Sequence, residues 1–196
     1  ILSFIKTQNK NLNYRVCVDT SPVMEKPIAQ NAGLGWIGKH TNLINDKIGS
    51  WFFISEILLD IELVYDNHFD EDLCGTCTKC LDACPTNALS PYILDSNKCI
   101  SYLTIEHRGE IVQEFSDSLD GWIYGCDICQ EVCPWNTKFS RISNEKKFYK
   151  RSMIEEMENN DWKKITKKQY EEIFKKSAVK RTKYEGITRN IKLNNK

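Results

Sequence analysis

The cysteines of this 196-residue chain constrain its central part more than any other feature, because eight of the nine form two spaced runs and their link. The first run has the spacing C-x2-C-x2-C-x3-C-P and consists of Cys74, Cys77, Cys80 and Cys84, followed by Pro85. The second run is shorter and consists of Cys126, Cys129 and Cys133, followed by Pro134. Cys99 lies between the runs. In the first spacing, three thiolates bind one [4Fe–4S] cluster, and the fourth, before proline, binds a second cluster.

The number of ligands needed assigns every cysteine of the pattern. Two clusters need eight thiolates, and the second run is one short of four, so Cys99 is the predicted eighth ligand. With the cysteine before proline of each run crossing over, one predicted set is Cys74, Cys77, Cys80 and Cys133. The other predicted set is Cys84, Cys99, Cys126 and Cys129. The spacing therefore predicts a module of the bacterial ferredoxin type that transfers single electrons.

Two other uses of clustered cysteines remain as alternatives. Zinc sites use paired C-x2-C units, but nothing in zinc binding requires the two x3-Cys-Pro endings. A disulfide framework suits small secreted chains, and this sequence shows no signal peptide. Both alternatives are less consistent with the spacing than two iron–sulfur clusters.

Composition limits the broad class of protein. With 41% hydrophobic and 28% charged residues, the chain is predicted to form one or two small soluble domains. No apolar run approaches the roughly 20 residues that a membrane helix needs. Free thiolates and oxygen-sensitive clusters favour a reducing cytoplasm. The chain opens on Ile1 and is predicted to be a piece of a longer protein.

Charge is distributed unevenly along the chain although the net charge is zero. Residues 1–140 contain 10 basic and 19 acidic residues, whereas residues 141–196 contain 17 basic and 8 acidic residues. Such a division suggests that the C-terminal part binds a polyanion. A solvated helical face is the alternative, so charge alone does not establish nucleic-acid binding.

Local patterns predict an α/β arrangement before the cysteines and helices after them. The predicted strands cover residues 15–19, 41–44 and 49–59, the last with a buried stretch at 50–54. A short helix is predicted over 27–32 and ends at Gly33. Further helices are predicted over 146–158 and 167–176, the second with Thr166 as its N-cap.

Residues 33–38 match G-x-G-x-x-G, but the match does not predict a dinucleotide site. That fingerprint must follow a strand and open a helix, whereas here a predicted helix precedes it and a strand follows. The glycines still allow a close approach of another group, because they carry no side chain.

Four residues outside the cysteine runs have side chains that could carry chemistry. Cys17 is predicted to be a buried small hydrophobe. Asp19 ends a predicted strand, and it is either a turn residue or a proton donor whose pKa is raised by burial. His40 and Glu56 have no partner visible in the sequence and are assigned structural roles.

Five segments together resemble epoxyqueuosine reductase, and the resemblance extends over nearly the whole chain. They are residues 15–23 (RVCVDTSPV), 32–40 (AGLGWIGKH), 49–53 (GSWFF), 99–106 (CISYLTIE) and 124–136 (YGCDICQEVCPWN). The resemblance implies a cobalamin-dependent iron–sulfur enzyme that performs the last step of queuosine synthesis. Electrons pass through two [4Fe–4S] clusters to cobalamin, and the epoxide of epoxyqueuosine in a tRNA anticodon loop is reduced to an alkene.

The resemblance also implies particular residue roles. It makes Asp19 the catalytic proton donor and residues 33–38 a close-approach surface for the corrin ring. Weaker candidates for cobalamin contacts are Leu43, Ile54, Ser101, Gly125, Cys126 and Asp127. The implied partners are tRNA and an external electron donor, with no membrane, and the enzyme is expected to be a monomer.

The implied fold class is α+β with three parts. Residues 1–65 are predicted to be the C-terminal part of an α/β cobalamin-binding domain, and residues 66–138, here called the cysteine module, a two-cluster ferredoxin-like domain. Residues 139–196, here called the basic segment, resemble the start of a HEAT-like repeat module through residues 177–181 (SAVKR) and 186–190 (GITRN). Full family members continue beyond both ends of this chain.

Two other functions remain as alternatives. A reductive dehalogenase also combines cobalamin with two iron–sulfur clusters, but it has no need of a basic helical segment. A plain electron-carrier ferredoxin leaves residues 1–65 and the basic segment unexplained. It predicts a protein that shows iron–sulfur absorbance and takes up no cobalamin.

Overall fold

The computed structural model describes residues 1–194, so residues 195 and 196 of the basic segment lie outside the described part. Helices and short strands alternate before the cysteine module. These elements are α1 (Leu2–Gln8), β1 (Tyr14–Cys17), α2 (Glu25–Asn31), β2 (Trp36–Ile37), β3 (Leu43–Ile44) and β4 (Glu56–Leu59). β1 pairs antiparallel with β4, and β2 pairs antiparallel with β3. The predicted mixture of helix and strand is confirmed.

The first predicted strand and the first predicted helix are both present with shifted ends. β1 ends at Cys17, whose side chain is 1% exposed, so Asp19 lies beyond the end of the strand. α2 begins at Glu25 and includes Pro27 in its first turn, where a missing backbone N–H costs no helical hydrogen bond. Gly33 follows the helix with φ +73°, a conformation that favours glycine.

The other two strand predictions are wrong over half or more of their length. Thr41 has φ +66° and lies in the turn before β3, so only two residues of the predicted strand 41–44 pair. Residues 49–55 form a loop, and β4 begins only at Glu56. The expected burial of residues 50–54 also fails, because Phe53 is 84% exposed.

A side chain of the cysteine module explains why residues 49–55 do not form a strand. The backbone N–H of Ser50 donates to Asn136 Oδ1 at 2.6 Å, so it is not available to a neighbouring strand. Asn136 Nδ2 donates to Ser50 Oγ and to the carbonyl oxygen of Gln130, both at 2.8 Å. Asn136 is 2% exposed and therefore holds this loop against the cysteine module from inside the protein.

Replacing Asn136 with alanine is expected to lower the free energy of unfolding by about 2 kcal/mol or more, because buried donors and acceptors would lose their partners. Anaerobic thermal unfolding of the cluster-loaded protein measures the effect. Asn144→Ala, at an exposed position, is the matched control. Equal unfolding temperatures for the two variants would contradict the role given to Asn136.

The three glycines within residues 33–38 lie so close to other atoms of the chain that a Cβ at any of them would clash. A Cβ on Gly35, whose φ is +149°, would stand 1.9 Å from the carbonyl oxygen of Ile44. A Cβ on Gly33 would stand 2.5 Å from the carbonyl oxygen of Asn67, and one on Gly38 would meet the Ile44 side chain at 2.4 Å. The chain's own atoms therefore occupy the Cβ positions of these three glycines, and the surface for the corrin ring at residues 33–38 stays a prediction.

The cysteine module consists of short elements joined by turns. They are α3 (Lys79–Asp82), β5 (Leu89–Ser90), β6 (Ile93–Leu94), α4 (Ile100–Ile105), α5 (Gln113–Ser116), α6 (Ile128–Glu131) and α7 (Pro134–Phe139). β5 and β6 form an antiparallel pair. The β2–β3 hairpin packs against the module through Trp36, which is 1% exposed and makes an edge contact with Trp135 at 4.9 Å between ring centroids.

The basic segment is helical, but its first predicted helix is interrupted. Within 146–158 the chain forms a 3-10 turn at Lys146–Phe148 and then α8 (Ser152–Glu155), with extended backbone at Tyr149 between them. The remaining elements are α9 (Asn159–Lys163), α10 (Lys167–Ile173), a 3-10 turn at Ala178–Thr182 and α11 (Lys183–Leu193). Thr166 is the predicted N-cap of α10 and forms a reciprocal capping box with Gln169.

Side chains of α11 fasten the basic segment to the cysteine module. Asn190 is fully buried, and its Nδ2 donates to the carbonyl oxygens of Thr104 at 2.8 Å and Ile123 at 2.9 Å. Arg189 donates to the carbonyl oxygens of Leu103 at 2.8 Å and Gly109 at 2.7 Å. These bonds give the two regions one continuous hydrogen-bonded contact. Within residues 1–194, no helix is both long enough and apolar enough to cross a membrane.

Candidate iron–sulfur centre

Two cavities are each lined by four cysteine side chains. The first cavity, of about 310 Å³, is lined by Cys74, Cys77, Cys80 and Cys133. The second cavity, of about 370 Å³, is lined by Cys84, Cys99, Cys126 and Cys129. The two sets that the spacing predicts are thus brought together separately, with the last cysteine of each run in the cavity of the other run.

Helix starts position Cys99 and Cys133 in the same way. Each is the N-cap residue of a six-residue helix, with φ −69° and ψ 121° at Cys99 and φ −70° and ψ 122° at Cys133. In α7, Pro134 occupies the first turn, where its fixed φ suits the helix. Cys99 therefore has the local geometry of a cysteine that precedes a helix in a regular run, although it stands alone in the sequence.

Burial disfavours the thiolate form at four of the eight cysteines that line the two cavities. Burial, followed by the nearby thiols, raises the pKa of Cys129 to about 12. Burial also raises the pKa of Cys80, Cys126 and Cys133. Because iron binds the thiolate, metal binding has to displace these protons, and the positive charge of iron offsets the cost of burying the thiolates.

A lysine stands beside each cavity. Lys39 Nζ donates to the carbonyl oxygens of Gly75 at 2.6 Å and Cys77 at 3.0 Å, at the first cavity. Lys26 Nζ donates to the carbonyl oxygen of Thr41 at 2.8 Å, at the second cavity, and burial lowers its pKa. These side chains bring positive charge close to where thiolate-bound clusters would carry negative charge.

The geometry of the cysteines differs from that of a disulfide framework or a one-metal site. All nine cysteines are free. Within the described residues, no three His, Cys, Asp or Glu side chains are close enough to hold a single metal ion. A cluster places several irons and sulfides between its four thiolates, so it fits a cavity lined by cysteines that are further apart.

The predicted cobalamin contacts fall into two groups. Ser101, Cys126 and Asp127 line the second cavity, and burial raises the pKa of Asp127. Gly125 precedes Cys126 with φ +76°, and no heavy atom beyond its two chain neighbours lies within 4 Å of the place where a Cβ would stand. Leu43, which is 3% exposed, and the half-buried Ile54 line neither cavity. The open space beside Gly125 suits the edge of a large flat cofactor, whereas Leu43 is covered by protein.

Asp19 lies outside both cavities and is joined to the basic segment. Its Oδ2 accepts a hydrogen bond from Arg181 Nη1 at 3.0 Å, and its side chain is 71% exposed. Arg181 Nε lies 2.5 Å from Oε1 of Glu106, which lines the second cavity. Burial raises the pKa of the neighbouring Tyr124. The described part of the chain therefore leaves Asp19 exposed. The sequence-based prediction of a proton donor required burial, which would raise the pKa of Asp19.

The sequence predicts structural roles for His40 and Glu56. In the structure, each of these two side chains has buried polar atoms without a hydrogen-bond partner among the described residues. Both carboxylate oxygens of Glu56 are buried without a hydrogen-bond partner among the described residues. His40 is 3% exposed and lines both four-cysteine cavities. The spacing of the cysteines contains no information about the position of His40, which lies in the loop that joins β2 and β3.

Comparison with known proteins agrees with this geometry. Residues 73–136 match the family model of the 4Fe-4S double cluster binding domain. The fold and the two four-cysteine cavities thus define an iron–sulfur protein of the two-cluster class.

Sequence relatives identify the family. The epoxyqueuosine reductase of Leadbetterella byssophila is 52% identical over 177 residues, which cover 90% of this chain and 57% of that protein. The epoxyqueuosine reductase of Cellulophaga algicola is 49% identical, over 96% of this chain and 61% of that protein. The chain belongs to the epoxyqueuosine reductase family. It spans about three-fifths of the length of these curated relatives.

Solved structures give the same result. A selenomethionine-labelled epoxyqueuosine reductase superposes with a TM-score of 0.89 at 30% identity, over 98% of this chain and 51% of that one. An epoxyqueuosine reductase with an epoxyqueuosine-modified tRNA-Tyr stem loop has a TM-score of 0.83 at 28% identity, over 98% and 50%. The Bacillus subtilis epoxyqueuosine reductase, with an aspartate catalytic loop swung out of the active site, has a TM-score of 0.82 at 27% identity, over 98% and 50%.

A reductive dehalogenase described for B12-dependent dehalogenation is a more distant neighbour. Its TM-score is 0.52 at 24% identity, over 72% of this chain and 20% of that one. This similarity concerns the fold alone.

Proposed function

We propose that this chain is the electron-transferring and substrate-facing part of an enzyme that reduces epoxyqueuosine to queuosine in tRNA. The observation that carries the proposal is the pair of four-cysteine cavities within a fold of the epoxyqueuosine reductase family. A plain ferredoxin does not account for residues 1–65 or for the α11 contacts with the cysteine module. The proposed reaction converts the epoxide to an alkene with two electrons and two protons, and the oxygen leaves as water.

The metal-binding part of the proposal assigns one cluster to each cavity. The first cluster takes Cys74, Cys77, Cys80 and Cys133, and the second takes Cys84, Cys99, Cys126 and Cys129. When bound, the clusters supply electrons one at a time and cobalamin supplies the cobalt that accepts them. Lys26 and Lys39 act here by placing positive charge beside the thiolates.

Cobalamin is proposed to contact the chain beside the second cavity. Ser101 and Asp127 line the second cavity, and the space beside Gly125, two residues before Asp127, is open. A corrin ring is too large for this cavity, so residues 1–65 are proposed to supply only part of its binding domain. The exposed side chains of Tyr14 and Val16, two residues apart on one face of the β1–β4 sheet, support this view, because they leave apolar surface for the rest of that domain.

Asp19 is proposed to donate the proton that the departing epoxide oxygen requires. In this structure Arg181 holds its carboxylate at 3.0 Å, outside both cavities. In the Bacillus subtilis relative, an aspartate catalytic loop has swung out of the active site. A similar displacement of the loop after β1 accounts for the position of Asp19 here, and a return of the loop would bring the carboxyl group to the substrate.

The basic segment is proposed to attract the tRNA. It contains 17 basic and 8 acidic residues between positions 141 and 196, and phosphate neutralisation by lysine and arginine is the general source of nucleic-acid affinity. A modified base would then be turned out of the anticodon loop into the catalytic site. An external reductant is the other partner required, since the reaction consumes two electrons.

Full-length protein containing this chain tests the proposal. After anaerobic reconstitution with iron, sulfide and cobalamin, it is expected to convert an epoxyqueuosine-bearing anticodon stem loop to the queuosine form in the presence of a strong reductant. Mass spectrometry of the digested RNA measures the product. No product from protein that carries both clusters and cobalamin would refute the proposal. Halide release from halogenated phenols would favour the dehalogenase, and failure to take up cobalamin would favour the ferredoxin.

A further inference from the structure

His40 occupies the boundary between the two four-cysteine cavities. Among the described residues it is the only one that lines both of them. Its side chain is 3% exposed, and it lies in the turn that joins β2 to β3. The hairpin thus places an imidazole where it is within reach of either cluster.

The hydrogen bonds of His40 determine which ring nitrogen carries the proton. The backbone N–H of Asn42 donates to Nδ1 at 3.2 Å, so Nδ1 is an acceptor and the proton of the neutral ring resides on Nε2. The Nε2 atom is buried without a partner among the described residues. A buried donor in this state is unfavourable unless a bound group accepts its hydrogen bond.

The turn around His40 is held rigidly. The backbone N–H of Gly38 donates to the carbonyl oxygen of Asn42 at 2.9 Å, and that of Thr41 donates to the carbonyl oxygen of Gly38 at 2.8 Å. The side chain of Lys39 donates a hydrogen bond to the carbonyl oxygen of Gly75 at the first cavity. The side chain of Lys26 donates to the carbonyl oxygen of Thr41, in the turn itself. These bonds fix the backbone that carries the imidazole, and the ring, with its unpartnered Nε2, lines both four-cysteine cavities.

We propose that the Nε2–H of His40 donates a hydrogen bond to a sulfur atom of one of the two clusters and thereby separates their reduction potentials. Reduction adds negative charge to a cluster, and a hydrogen bond to its sulfur stabilises the reduced form, so the potential of the bonded cluster rises. One N–H makes one strong bond, so the other cluster is not raised equally. The two clusters then differ in potential, which gives single electrons a preferred direction of transfer between them.

This inference rests on the two-cluster part of the proposed function and on neither cobalamin nor RNA. Its test therefore uses full-length protein loaded with iron and sulfide alone. EPR-monitored anaerobic redox titration gives the midpoint potential of each cluster. If the wild-type protein shows fewer than two cluster signals, the two-cluster assignment itself fails before any variant is compared.

Two variants of His40 separate a hydrogen-bonding role from a packing role. His40→Leu removes the donor, and one cluster's midpoint potential is expected to fall while that of the other stays within error. His40→Gln retains an amide N–H near the same position, and it is expected to restore part of the potential. The exposed His68 is the matched control, and His68→Leu is expected to leave both potentials unchanged. Unchanged potentials in His40→Leu protein with full iron content, or equal falls at both clusters, would overturn the proposal.

A second measurement uses wild-type protein, so it does not require that a His40 variant still binds its clusters. The sequence contains three histidines, and neither His68 nor His107 lines a cavity. Pulsed EPR on reduced wild-type protein labelled with 15N-histidine is expected to detect a nitrogen coupled to one cluster through the hydrogen bond. The absence of any coupled histidine nitrogen at either reduced cluster would refute the assignment.

Discussion

Asp19→Asn is expected to abolish reduction of the epoxide by the full-length protein while both clusters and cobalamin remain bound. Asparagine cannot supply the proton that the departing oxygen needs, and general acid catalysis contributes about 10²–10⁴-fold to a rate. The substitution is not expected to strain the backbone. Asp19 has φ +54°, a conformation that asparagine tolerates as well as aspartate does. Single-turnover conversion of a modified stem loop, with iron and cobalamin contents measured in parallel, provides the readout.

Two controls separate the loss of the proton from the loss of the ion pair. Arg181→Gln breaks the same contact with Asp19 but leaves the carboxyl group in place. It is expected to retain conversion at saturating RNA. Asp70→Asn changes an exposed aspartate elsewhere, whose side chain is 87% exposed, and is expected to behave as wild type. Conversion by Asp19→Asn at the wild-type rate would remove Asp19 from the catalytic machinery.

Cys99→Ala is expected to halve the iron content of the reconstituted protein. The substitution leaves three cysteines at the second cavity and all four at the first, so only the first cluster has a complete ligand set. Alanine is preferable to serine here, because a hydroxyl group is itself a possible ligand. The helix start tolerates the change, since the Cys99 side chain makes no capping hydrogen bond in α4. Iron analysis and the EPR signal of the reduced protein measure the result.

Cys17→Ala is the matched control for Cys99. Cys17 is the ninth cysteine, is 1% exposed, and lines neither cavity, so its removal is expected to leave the iron content unchanged. If Cys99→Ala retained full iron, another residue would have to supply the eighth ligand. If both variants lost iron equally, general destabilisation would explain the result better than ligand loss.

Local chemistry explains where sequence-based predictions succeeded. Thr166 and Gln169 form a capping box because their side chains satisfy backbone groups three residues apart, and this requires no distant partner. The β1 strand and α2 were found for the same reason, from residue types within a few positions. The loop at residues 49–55 was missed because Ser50 is bonded to Asn136, 86 residues away, and local pattern contains no information about that partner.

By itself, the sequence determined the two sets of four cysteines, because thiolate spacing along the chain reflects the shape of a cluster. It also determined the family, through motifs that extend over nearly the whole chain. Only the tertiary structure decided which residue lies between the two four-cysteine cavities and where the Asp19 side chain lies. His40 reaches both cavities because a hairpin distant from the cysteine runs packs onto them. Asp19 meets Arg181 because the basic segment folds back over the cysteine module. Both contacts join residues far apart in the chain, and such contacts depend on packing rather than on spacing.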